Sequence, residues 1–184
     1  SNARHYVDGS AFHLYGGDIN NLSELKNTHP DKNLYFTEQW VGAPGNLYGD
    51  LRWHIRNLII GATRNWCKTI IEWNLASDEN QKPHTEGGCS SCLGAVTITG
   101  NSVQRNTAYY VIAHASKFVP PGSVRLHSSS SSTLPNVSFL TPEEKIVTIV
   151  LNDSSNKINF NIILDGKDIH SSLNAGAIGT FVLN

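Results

Sequence analysis

The sequence lacks three things that would classify a chain quickly. It has no apolar run approaching the ~20 residues that a membrane-spanning helix requires, so no membrane partner is expected. It has no excess of charge of either sign. Of its 184 residues 16% are charged, and the formal net charge is −1. The basic residues are scattered, which leaves no electrostatic case for nucleic acid or an anionic membrane surface. It is also short of cysteine, with three, at positions 67, 89 and 92. Cys89 and Cys92 form a Cys-x-x-Cys inside Gly87-Gly88-Cys89-Ser90-Ser91-Cys92. No second pair completes a four-cysteine zinc site, and His84 adds only a loosely spaced third ligand. A thioredoxin-like redox pair should open a helix after a strand, whereas this one lies in a Gly/Ser loop. A local disulfide or two plain thiols are favoured over the zinc and redox readings, and neither calls for a cofactor.

What is present describes a globular chain, 39% hydrophobic, long enough for one domain or one and a half. Low charge with many Asn, Ser, Thr and Gly residues suits a secreted or periplasmic protein. Ser1-Asn2-Ala3 reads as the scar of a cleaved tag, which puts the native sequence from about Arg4.

The first two-thirds alternates strand and helix. Strands are predicted over residues 6–15, 33–38 and 68–74. Helices are predicted over 20–28, where Pro30 stops the pattern, and over 47–62, with Leu47, Leu51, Ile55, Leu58, Ile59 and Ala62 on one face. Residues 76–94 read as a loop, 95–99 as a short β run, and 103–118 as an amphipathic helix ended by Pro120-Pro121-Gly122. This order implies parallel strands with helices outside. After residue 121 the texture changes. A serine run, 128–132, leads to short alternating segments at 137–140, 145–151, 157–163 and 177–183. Residues 152–156 read as a hairpin loop and Asp165-Gly166 as a turn. The tail is therefore expected to form part of an antiparallel β-sandwich.

The residue that stands out chemically is Glu38. It closes the apolar run Tyr35-Phe36-Thr37, with Trp40 two residues on. A carboxylate at the C-terminal end of a barrel strand is where catalytic groups sit. Beside aromatic rings, it is what a sugar-cleaving site needs.

Four motifs then occur in order: Val7-Asp8-Gly9-Ser10-Ala11-Phe12-His13-Leu14-Tyr15; Phe36-Thr37-Glu38; Glu72-Trp73-Asn74-Leu75-Ala76; and His114 to Ser123, His-Ala-Ser-Lys-Phe-Val-Pro-Pro-Gly-Ser. This series resembles the C-terminal part of glycoside hydrolase family 30, which includes glucosylceramidase and β-1,6-glucanases. The resemblance implies an α/β plus β architecture. About three βα units of a TIM (β/α)8 barrel would span residues 4–121, and part of a β-sandwich would span 122–184. It implies retaining hydrolysis by two glutamates, with Glu38 as nucleophile. His13 and Tyr15 match the end of the sixth barrel strand, with Tyr15 placed to hydrogen-bond the nucleophile. Trp73 matches a wall of the sugar pocket, with Asn74 next to it, and Trp40 is a further candidate for sugar contact. The family's acid/base glutamate lies in an Asn-Glu-Pro motif that does not occur here. Glu72 is expected to play a supporting part, and Trp53 and Trp66 to serve packing. The implied partner is carbohydrate: a β-glucan, an oligosaccharide or a glycolipid. Trp40 and the Cys89/Cys92 loop set the chain apart from glucosylceramidase and favour a glucan or oligosaccharide. On this reading the isolated chain is inactive. The alternative is a non-catalytic carbohydrate-binding module, or one that self-associates through an open barrel edge.

Overall fold

The computed structural model describes residues 2–129 and 131–184. Ser1, in the expected tag scar, and Ser130, in the serine run, lie outside the described residues. The chain divides into two compact units, 1–113 and 114–184, a boundary somewhat earlier than the one expected after Pro121.

In the first unit a 3-10 turn, Asn2–Tyr6, precedes β1 (Gly9–His13). Then come α1 (Asn21–Thr28), β2 (Asn33–Glu38) and the short β3 (Val41–Gly42). Helix α2 (Leu47–His54) continues as a π-helical stretch, Ile55–Ala62, into β4 (Cys67–Ile70). Four short strands follow: β5 (Ala76–Ser77), β6 (Cys92–Leu93), β7 (Val96–Thr99) and β8 (Ser102–Arg105). Helix α3 (Thr107–Ser116) comes next.

Strands β1, β2 and β4 form a parallel sheet in that order. Leu22 of α1, Leu34 and Phe36 of β2, Leu58 and Ala62 of the π-helical stretch and Cys67 of β4 form one buried cluster. The helical and strand periodicities thus converge on a single core. The N-terminus of α2 is fixed by Asn46, whose side-chain oxygen accepts from the Gly49 amide at 3.0 Å, a standard way to satisfy an orphan helix donor. Burial pushes the Cys67 thiol up to about 12, so it serves as a small apolar residue in this core.

The predicted strands and helices are trimmed for identifiable reasons. The strand expected over 6–15 is confined to Gly9–His13, because its ladder partner β2 ends at Glu38, opposite His13. The strand expected over 68–74 ends at Ile70. Beyond it the pairing becomes irregular, with Ile71 N donating to Phe36 O and Trp73 N to Gln39 O. The helix expected from Val103 begins only at Thr107. Residues 102–105 instead pair antiparallel with β7 through a turn at Gly100 and Asn101. Gly100 there has φ +57°, as a tight hairpin turn requires. The loop expected over 76–94 contains β5 and β6.

Glycine at position 9 is dictated by close packing. A Cβ there would lie 2.2 Å from the Asn33 carbonyl oxygen. That atom is backbone of the neighbouring strand, so neither side can yield cheaply. Gly9→Ala is expected to lower stability by about 1–3 kcal/mol, read from the urea midpoint of this unit.

The second unit contains β9 (Val124–Leu126), β10 (Asn136–Leu140), β11 (Ile146–Leu151), β12 (Ile158–Leu164), β13 (Lys167–Leu173) and β14 (Ile178–Leu183). One antiparallel sheet has the order β14-β11-β10-β9, and β12 pairs with β13 in a separate hairpin. The turn at Asp165-Gly166 closes that hairpin, with Leu164 opposite Lys167. Residues 152–156 do not close a hairpin, contrary to expectation. They carry the chain from one sheet to the other. Asn152, wholly buried, organises the crossing: its amide nitrogen donates to the carbonyls of Asn156, Leu173 and Asn174, and its oxygen accepts from Ser154. An edge-to-face contact between Phe160 and Phe181, centroids 5.8 Å apart, joins the hairpin to the sheet. Between them lies an open cavity of about 660 Å³, lined in part by Leu126, Ile146, Val150, Phe160, Ile162 and Leu183.

Candidate active site

The parallel sheet brings the ends of β1, β2 and β4 side by side, and with them most of the residues singled out in the sequence. A register shift between Phe12 and His13 sets His13 directly opposite Glu38. Tyr15, two residues past β1, donates its hydroxyl to Glu38 Oε1 at 2.9 Å. His13 Nδ1 lies 3.5 Å from the same oxygen. The His13 and Tyr15 rings meet edge to face, centroids 5.7 Å apart, as expected for i, i+2 neighbours on one strand face. Glu38 is thus held by a phenol on one side and faced by an imidazole on the other, with its side chain 30% exposed.

The Tyr15 hydroxyl is shifted well above its ordinary value, first by burial, then by its hydrogen bond to Glu38, with a smaller contribution from the charge of Glu72. A phenol in this state remains a donor to the carboxylate throughout the neutral and moderately alkaline range. A folded-state value raised above the unfolded one contributes stability that is fully present below the unfolded value of ~10 and is lost as pH rises through the folded value. In a phenolate absorbance titration, the most alkaline step is expected to disappear in Tyr15→Phe. Its persistence there would show that Tyr15 is not the group that carries it.

Trp73 and Asn74 follow β4. Trp73 is partly exposed and its amide donates to Gln39 O at 2.8 Å, which ties it to the residue after Glu38. Asn74 is half-buried, and its side-chain oxygen has no partner among the described residues. Trp40 is half-buried, its ring lying against Gly42, where a Cβ would fall 2.8 Å from Trp40 Cζ3. The sheet therefore gathers His13, Tyr15 and Glu38 into one contact group and sets Trp40, Trp73 and Asn74 on the segments that continue β2 and β4. Trp53 and Trp66, expected to serve packing, are each partly covered: the Trp53 ring meets His54 edge to face, centroids 5.1 Å apart, and Trp66 adopts a left-handed φ of 75° just past the helix.

One residue here was missed in the sequence. His54, 4% exposed on α2, meets Glu72, 7% exposed, with Nδ1 2.8 Å from Oε1. The other Glu72 oxygen is buried without a hydrogen-bond partner among the described residues. His54 sits beside Ile55 in the apolar pattern of the helix, and a polar residue at that edge was the available signal. Cys89 and Cys92 are joined in a disulfide, which decides between the two readings the spacing allowed. Among the described residues no group of His, Cys, Asp and Glu could hold a metal ion, and no helix is long and apolar enough to cross a membrane.

Comparison with known proteins places this geometry in a family. The model for the glycosyl hydrolase family 30 beta sandwich domain matches residues 122–181. Endo-1,6-beta-D-glucanase neg1 of Aspergillus fumigatus is 31% identical over 98% of this chain and 38% of its own length. Lysosomal acid glucosylceramidase of Mus musculus is 28% identical over 87% of this chain and 33% of its own. Among solved structures, the endo-beta1,6-glucanase BT3312 superposes with a TM-score of 0.88 at 30% identity, over 98% of this chain and 42% of that one. The chain spans well under half the length of these relatives. The sandwich match, the superposition and the ordered motifs around Glu38 and Trp73 agree: the chain belongs to glycoside hydrolase family 30 and corresponds to its C-terminal part.

Proposed function

We propose that this chain is the nucleophile-bearing part of a retaining β-glycosidase. Glu38 attacks the anomeric carbon. Tyr15 and His13 orient it, and Trp73, Trp40 and Asn74 contact the sugar. The observation that carries this reading is the 2.9 Å hydrogen bond from Tyr15 to Glu38, at the C-terminal edge of parallel strands, where barrel enzymes assemble their sites. On this reading β1, β2 and β4 are the last three strands of a (β/α)8 barrel, residues 4–121, and residues 122–184 are the sandwich.

Retaining cleavage needs a second carboxyl group ~5–5.5 Å from the nucleophile, on the other side of the glycosidic bond. Glu72 does not suit that role, because it is buried and bound to His54. The acid/base therefore comes from strands outside this chain. The substrate class we favour is a β-1,6-glucan or its oligosaccharides. Relatives at 30% or more identity include the Aspergillus fumigatus and BT3312 proteins, both named as endo-1,6-glucanases, and a glycolipid finds no specific support in the site. A secreted or periplasmic location fits such a substrate.

The test is hydrolysis of a chromogenic aryl β-glucoside by the chain alone and by the chain co-expressed with the preceding barrel half of the Aspergillus fumigatus relative. Activity in the reconstituted sample only is the expected result; turnover by the chain alone would overturn the division of the two carboxylates. A non-catalytic, carbohydrate-binding role is the second reading, favoured by the single carboxylate in the Tyr15–His13 contact group. The part-exposed apolar side chains Val7, Ile71 and Leu75 also support self-association of the isolated chain. A clean monomer in light scattering at high concentration would count against that.

A further inference from the structure

Residues 89–96 touch both segments that carry the candidate sugar-binding tryptophans. On one side, β6 pairs antiparallel with β3, Cys92 opposite Gly42 and Leu93 opposite Val41, and Ala43 N donates to Ser91 O at 2.7 Å. This is the segment that follows Glu38 and Trp40. On the other side, Ala95 N donates to Asn74 O at 2.9 Å and Val96 N to Leu75 O at 3.0 Å. This is the segment that follows Trp73. Gly94 stands between them. A Cβ there would fall 2.6 Å from Asn74 Oδ1 and 2.9 Å from the backbone of Ala76 and Ser77, so only glycine lets the two strands approach so closely. Asn106 Nδ2 holds the Gly94 carbonyl at 2.9 Å. The joint is dry: Val41 and Cys92 are each 2% exposed. The Cys89–Cys92 disulfide closes the turn that leads into it.

We propose that this disulfide-closed segment is a positioning element of the sugar site. It sets the gap between Trp40 and Trp73 and so selects the glucoside shape that fits between them. The inference rests on the sugar-site reading above. A disulfide across so short a turn adds little to the stability of the whole chain, because the loop it closes is small. It does restrict where Ser91 and Cys92 lie, and β3 is anchored to them. Two indoles held in place do not have to be ordered when sugar binds, which raises affinity without any new contact.

The test uses the indole N–H resonances of the four tryptophans in this chain, assigned by single Trp→Phe variants, with gentiobiose as the β-1,6-linked probe and cellobiose as the comparison. In Cys89→Ser/Cys92→Ser, the Trp40 and Trp73 resonances are expected to shift and broaden while those of Trp53 and Trp66 stay in place. Gentiobiose affinity is expected to fall about tenfold, and its preference over cellobiose to shrink. Gly94→Ala, which keeps the disulfide, should displace the Trp73 resonance. Four unchanged resonances in the disulfide-free variant would overturn the proposal. So would the loss of all four through unfolding, since the bridge would then serve the fold as a whole. If gentiobiose moves neither Trp40 nor Trp73 in the unaltered chain, the sugar-site reading fails and takes the selectivity with it. The free-protein spectra still decide whether the segment positions the two indoles.

Discussion

Glu38→Gln is expected to reduce aryl β-glucoside hydrolysis in the reconstituted enzyme by about 10⁴- to 10⁶-fold, the scale seen when a covalent nucleophile is removed. The amide is nearly isosteric with the carboxylate and keeps an oxygen to accept from Tyr15. The site should therefore remain assembled, and the loss should fall in kcat. Gentiobiose binding should survive the substitution, because binding is assigned to the tryptophans. A residual rate within tenfold of the unaltered enzyme would remove Glu38 as nucleophile. A comparable loss in binding would instead make it a sugar contact. Tyr15→Phe gives the internal comparison. It withdraws a donor from a part-exposed carboxylate and leaves the nucleophile in place, so its effect should be much smaller. The same effect from both variants would contradict separate roles.

The reach of the sequence can be judged residue by residue. Glu38, Tyr15 and His13 were legible because one acid closing an apolar strand, and two ring residues at i, i+2, are local patterns, and their order along the chain matched a family. The parallel sheet was legible for a similar reason, since its helical and strand periods alternate cleanly. Strand ends were not, because they depend on a partner. β1 stops where β2 stops, and nothing near Leu14 encodes that. Residues 102–105 have the composition of a helix start and become a strand because β7 offers them a ladder. The role of Asn152 was hidden for the same reason, since two of its three carbonyl partners, Leu173 and Asn174, come from a distant segment. The missing sandwich strands, β9 and β13, are short or polar: Lys167–Leu173 alternates Ile169 with serine and histidine and exposes one face. The disulfide, too, required the loop geometry, because spacing alone was compatible with free thiols.

His54→Ala is expected to be the most destabilising single change in the first unit. The contact is buried on both sides, with side chains 5% and 4% exposed and 2.8 Å between Nδ1 and Oε1. Removing the imidazole leaves the Glu72 carboxyl in a site that already holds one unpartnered oxygen. Breaking a buried pair in this way costs about 3–5 kcal/mol, since a buried polar group that loses its partner keeps its desolvation cost. In a chain of this size that corresponds to roughly 10 °C in melting temperature. The loss should appear in the transition of the first unit and leave that of the sandwich unchanged. A double replacement that turns both residues into leucine should recover much of it, because an apolar pair of similar volume avoids the desolvation cost that the polar pair carries. If His54→Ala costs less than about 1 kcal/mol, the range of an exposed pair, then Glu72 finds another donor on losing His54, and the contact does not anchor the end of β4. If the double variant is as unstable as the single one, packing of the imidazole rather than the pairing holds α2 to the segment after β4 that carries Trp73.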